Sequence, residues 1–172
     1  MVGVLVSSGV SVASKTTTTK ASSTPTGGAI QLIVQPGETQ GAGKIIVTGA
    51  IGDWGTTSPS KTKAGTKYGI ATLTKGGFEV NLTTIAEKIN SGQPTPNSAT
   101  CSLEISATAP AAISNGTGAY TGIKGSVDLT ETFGFIAPRF TSGKKNGQCN
   151  FSNSAKPVAE MGTVYGTGTV TF

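Results

Sequence analysis

Histidine is absent from the 172-residue chain, and with it go the commonest general base, the commonest metal ligand and every Ser/His or Cys/His nucleophile pair. Charged residues are scarce at 12%, about half the usual share. There is one arginine, Arg139, and the only basic cluster is Lys61, Lys63 and Lys67. No ladder of aromatic side chains stands beside that cluster to stack bases, so no nucleic-acid partner is expected. No apolar run approaches the 20 or so residues that span a bilayer, so no stable membrane span is expected. Only two cysteines occur, Cys101 and Cys149. They lack the C-x-x-C spacing and the histidines of a zinc set, and are read as one disulfide, with two buried thiols as the alternative. Nothing in the sequence calls for a cofactor or a metal.

What the chain has in excess is glycine, 25 residues, together with threonine and serine. Three segments differ in composition. Residues 1–13, M-V-G-V-L-V-S-S-G-V-S-V-A, form a short apolar run ending in small residues and read as a signal-peptide remnant, with a first β-strand as the alternative. Residues 14–28 are Thr/Ser-rich, hold almost nothing apolar and read as a flexible linker. From Ala29 to Phe172, short β-branched runs are broken every ten residues or so by Gly, Pro, Asn or Ser, which marks a single β-domain. Setting aside Lys15 and Lys20 of the leader leaves a net charge of +3, eleven cationic residues against eight acids. The reading is of a secreted, extracellular protein.

Strands are expected at Ile30–Gln35, Lys44–Ile51, Lys67–Thr74, Gly77–Leu82, Cys101–Ala107, Gly118–Thr121, Lys124–Ile136 and Val158–Phe172. The fold class is therefore all-β, an antiparallel β-barrel of about eight strands. At most one short helix is expected, at Thr83–Asn90, where Ile85 and Ile89 are spaced i, i+4 and Gly92 stops the run.

The run Gly116–Gly125, G-T-G-A-Y-T-G-I-K-G, passes straight into a β-branched alternation. A phosphate-binding glycine loop must instead open a helix, so this is not one. In Gly162–Val170 the residues Gly162, Val164, Gly166, Gly168 and Val170 share one face of a strand. The Gly116–Gly125 run resembles the turn-and-strand of the allene oxide cyclase and dirigent β-barrels. The whole of Ala29–Phe172 is similar to uncharacterised secreted actinobacterial β-barrel proteins, with T-G-A-I-G-D-W-G at 48–55 and F-T-S-G-K-K-N-G-Q-C-N at 140–150 as shared features. The resemblance implies a barrel that holds a hydrophobic ligand steered by a few carboxylates, arginines or tyrosines, and barrels of this kind are often dimers or trimers, so a homo-oligomer is open. None of the family's catalytic residues can be matched to a position in this chain.

Strand parity singles out one carboxylate. Val127, Leu129, Glu131, Phe133 and Phe135 fall on one face of an unbroken strand, so Glu131 points with the apolar side chains. It reads as a polar handle in a ligand cavity, with Tyr120 or Tyr165 beside it; a bulge returning it to solvent, or a structural hydrogen bond, is the alternative. Trp54, flanked by Asp53 and Gly55, is placed at a barrel mouth, packing over the end or touching a ligand. Asp53 is expected to bond nearby backbone in an Asx-type turn. Arg139 could clamp a carboxylate, or could be a plain surface residue. Asn81, Asn115 and Asn150 head glycosylation sequons that matter only in a eukaryotic secretory route. The function expected is non-catalytic binding of a small, partly apolar ligand or a partner. A cofactor-free isomerase or stereo-guiding protein and a filled structural barrel are the alternatives.

Overall fold

The computed structural model describes residues 27–37, 42–59 and 65–172. The leader and linker expected at 1–28 lie almost wholly outside the described residues. Eight antiparallel strands close into a barrel in simple chain order: β1 (Gly28–Gln35), β2 (Gly43–Gly49), β3 (Asp53–Pro59), β4 (Tyr68–Leu73), β5 (Gly76–Asn81), β6 (Ser102–Gly118), β7 (Lys124–Ile136) and β8 (Ala159–Thr171), with β8 pairing back on β1. The one helix, α1 (Thr83–Ser91), joins β5 to β6. Among the described residues no helix is long and apolar enough to cross a membrane.

Alternation along each strand builds the interior. Ile30 and Leu32 of β1, Ile45 and Val47 of β2, Val127 and Leu129 of β7, and Val170 of β8 are all buried in one cluster. The glycine face of β8 turns inward as its parity requires, and two of its glycines, Gly166 and Gly168, have a steric reason. A Cβ on Gly166 would lie 2.6 Å from Leu129 Cδ2, and one on Gly168 would lie 2.0 Å from the carbonyl oxygen of Ser126. The missing side chains let β7 and β8 coil tightly enough to close a small barrel.

Two elements differ from the sequence reading. β3 was not expected, because D-W-G-T-T-S-P carries the residues of a loop. It is a strand because its neighbours supply the pairing: Gly55 sits against Leu73 of β4, and a Cβ there would lie 1.9 Å from Thr72 O. Conversely, the strand expected at Gly118–Thr121 is a turn. β6 ends at Gly118, whose φ is +59°, and Tyr120 N, Thr121 N and Ile123 N bond back to Thr117 O, Gly118 O and Tyr120 O. A register shift between Gly77 and Glu79 places a bulge opposite Phe78, where Asn115 at φ +54° donates from Nδ2 to Glu79 Oε2 at 2.6 Å.

β6 also runs much further than Cys101–Ala107, through A-P-A-A to Gly118. Its pairing with β5 stops at Val80↔Ile113, while pairing with β7 continues to Ser102↔Ile136. Pro110 therefore lies where β6 has no strand on its β5 side, and its missing N–H deprives no ladder partner. Helix α1 packs along that edge with Ile85 buried, and Lys88 Nζ donates to Thr108 O at 2.8 Å. The helix thus shields an edge that would otherwise be open.

Candidate functional site

The barrel's two ends are built differently. One end is closed by the turns β2–β3, β4–β5 and β6–β7. Asp53, the first residue of β3, is 6% exposed and accepts four hydrogen bonds there. Its Oδ1 takes the Trp54 N–H at 2.8 Å and the Thr74 hydroxyl, and its Oδ2 takes the Lys75 N–H at 3.0 Å and the Tyr120 hydroxyl at 2.6 Å. Burial pushes the carboxyl up, but these four donors outweigh it and hold Asp53 at about 2. Tyr120 is raised from its ordinary value, first by burial and then by Asp53. The ring of Tyr120 is wholly buried, edge-on to Phe78 at 6.3 Å and 6.0 Å from Phe172. This end is a plug whose polar groups are all used up in holding three turns together.

The other end is hollow. A cavity of about 400 Å³ lies among Leu32, Val34, Ile45, Ala71, Leu129 and Val164, and reaches the strand ends at Pro36, Ser58 and Pro59. Glu131 lines it. The carboxylate sits near the rim: Glu131 pairs across β7–β8 with Val164, and Val164 pairs with Val34, the last but one residue of β1. Its cross-strand neighbours on the same face are Ala107 and Val164, and its neighbours along the strand are Leu129 and Phe133. Burial pushes the Glu131 carboxyl above the usual carboxylate range.

The residues expected beside Glu131 are not brought to it. Tyr120 is sealed into the closed end, because its hydroxyl is needed by Asp53. Tyr165 is 44% exposed on the outer face of β8, since it alternates with the inward Val164 and Gly166. Trp54 is 66% exposed on the outside of β3, not over a mouth, because Asp53 takes the inward position beside it. These two aromatics belong to one outer row running across four strands, in which Trp54 opposes Ile46, Ile46 opposes Ile33, and Ile33 opposes Tyr165.

Arg139 lies outside the barrel in the loop between β7 and β8, donating from Nη1 to Gly147 O at 2.6 Å and from Nη2 to Ala99 O at 2.7 Å. It thereby ties together the two segments joined by the Cys101–Cys149 disulfide, whose Cα atoms are 5.2 Å apart. Among the described residues no three His, Cys, Asp or Glu side chains cluster to hold a metal.

Sequence parity found Glu131 but missed most of the cavity wall. Val34, Ile45, Ala71 and Val80 come from four strands, and Leu82 from the start of α1, and only the closed ring brings them together. No local signal distinguishes a residue lining a cavity from one packed in a core. Comparison with protein-family models, with curated proteins and with solved structures finds no match to this chain.

Proposed function

We propose that the protein is an exported β-barrel that binds a small, partly apolar ligand without chemical conversion, and that the ligand lies in the cavity at the open end. The observation that carries this reading is a cavity of about 400 Å³ with an apolar wall and one carboxylate near its rim, the composition typical of a small-molecule site. Eight-stranded barrels are wide enough to hold one small ligand when the side chains do not fill them, and the cavity at the open end is space that the side chains of this one leave unfilled. Export is supported by the Cys101–Cys149 disulfide, which persists in oxidising compartments, and by the leader-like composition of residues 1–13.

A cofactor-free isomerase of the allene oxide cyclase or dirigent kind has less support. It would need Glu131 to converge with a tyrosine or Arg139, and Glu131 stands in the cavity without either. What this chain is shown to share with that expectation is an eight-stranded antiparallel barrel, and architecture alone does not carry an activity.

The test is native mass spectrometry of the protein produced by its own host, alongside Val164→Phe, which narrows the cavity beside Glu131 while keeping the carboxylate itself. A non-covalent adduct present on the wild type, lost on denaturation and lost in Val164→Phe is the expected result. An adduct that survives in Val164→Phe places the ligand elsewhere and overturns the reading.

A further inference from the structure

On the reading that the cavity holds a ligand, its wall dictates the ligand's polar group. Glu131 is ringed by Ala107, Val164, Leu129 and Phe133. No other described side chain bonds to or pairs with its carboxylate, and burial is the one influence on it. The charged residues of the surrounding elements point away: Lys124 and Asp128 of β7, Lys44 of β2 and Glu104 of β6 are exposed on the outer face by alternation with inward neighbours, Glu79 of β5 accepts from Asn115 on the outside, and the Lys88 ammonium of α1 is bonded to Thr108 O. Glu160 shares the inner parity of β8 but is exposed, four residues before Val164. Glu38, Lys61 and Lys63 belong to the β1–β2 and β3–β4 connections and lie outside the described residues. The described wall therefore offers one negative charge and no positive one.

An anionic headgroup entering this cavity would meet Glu131 with no cation of the described wall to offset it. A neutral hydroxyl or carbonyl could hydrogen-bond, but gains about half of what a charge-assisted bond gives. A cationic amine satisfies the lone carboxylate and remains near the rim, where water still reaches both groups and limits the desolvation cost. The hydrocarbon body then has Leu32, Ile45, Ala71 and Leu129 below it. We infer that the cavity selects ligands with a cationic amine head and a hydrocarbon body, the ammonium paired with Glu131 near the rim and the body directed towards the plugged end.

Three probes of one shape, decylamine, decanol and decanoate, separate this inference from the reading it rests on. Titration calorimetry near neutral pH is expected to rank decylamine about tenfold or more tighter than decanol, with decanoate weakest. In Glu131→Gln the amine and the alcohol should bind alike, and undiminished alcohol binding shows that the variant's cavity is intact. As pH falls and Glu131 takes up a proton, amine binding should weaken while alcohol binding holds. Equal binding of decylamine and decanol to the wild type, an amine preference that survives Glu131→Gln, or decanoate as the tightest probe would each overturn the amine inference while the ligand site stands. Failure of all three probes to bind would overturn both.

Discussion

Tyr120 donates its hydroxyl to Asp53, 67 residues earlier in the chain, at 2.6 Å, and the pair locks the closed end of the barrel. Removing either partner leaves a buried group unsatisfied. Tyr120→Phe is expected to cost about 1–3 kcal/mol in denaturant unfolding, with an unchanged slope. Asp53→Asn should cost at least as much, because whichever way the amide is set, its NH2 faces the N–H of Trp54 or of Lys75.

The same carboxylate gives the fold an acid limit. Asp53 is held at about 2 against an ordinary 3.8, so its contribution is full above the ordinary value and is lost as pH falls towards the depressed one. Tyr120 is raised above its ordinary 10.0, so its contribution is full below that value and is lost as pH rises beyond it. Unfolding midpoints followed by circular dichroism should fall through both windows in the wild type, and Asp53→Asn should flatten the acid one.

Glu131 acts in the opposite sense to Asp53. Its folded value lies above its ordinary 4.5, so the empty barrel loses stability as pH rises and the buried carboxyl is forced to ionise. Glu131→Gln should therefore melt higher than the wild type near neutral pH and converge with it in acid. Identical melting curves across that range would mean that the carboxylate is fully hydrated.

Two inward glycines of β8 should respond differently to alanine. At Gly166 the new methyl meets the end of a side chain, Leu129 Cδ2, which can swing into the cavity; the expected cost is about 1–3 kcal/mol together with weaker alcohol binding. At Gly168 it meets Ser126 O and Val127 Cα, backbone that cannot rotate away. Gly168→Ala should lose more stability than Gly166→Ala, and an inverse order in chemical denaturation would contradict the tight β7–β8 coiling.

Cys101 and Cys149 close a 48-residue separation. In the chain-entropy model their replacement by serine costs about 4 kcal/mol. The crosslink anchors the loop after β7, which contributes no residue to the cavity's lining, so limited proteolysis should nick that loop first while decanol binding persists.

The sequence made some of this legible for definite physical reasons. Alternation needs no tertiary information, so the inward face of β7 with Glu131, the glycine face of β8 and the helix at Thr83 could be read directly. β3 could not, because a strand of Gly, Thr, Ser and Pro is stabilised by partners on both sides and not by its own propensity. Asp53 was recognisable as a local turn former through its bond to Trp54 N. Its bonds to Thr74 and Tyr120 depend on three turns meeting at one end of a closed ring, which no local pattern encodes. Tyr120, Tyr165 and Arg139 were grouped with Glu131 by chemistry alone, and the ring's geometry separates all three from it.

The pairing of β8 with β1 sets the order in which the molecule can be completed. These two strands are the first and last of the barrel, so the seam at Leu32↔Gly166 joins residues that emerge from the ribosome at opposite ends of the domain's synthesis. Until β8 arrives, β1 and β7 are both raw edges with unpaired N–H and C=O groups, able to template a strand from another molecule. Such distant contacts also slow closure. A nascent or partly unfolded chain is thus most exposed to strand exchange and aggregation along this one seam, and a chaperone that covers β1 would protect it during that interval.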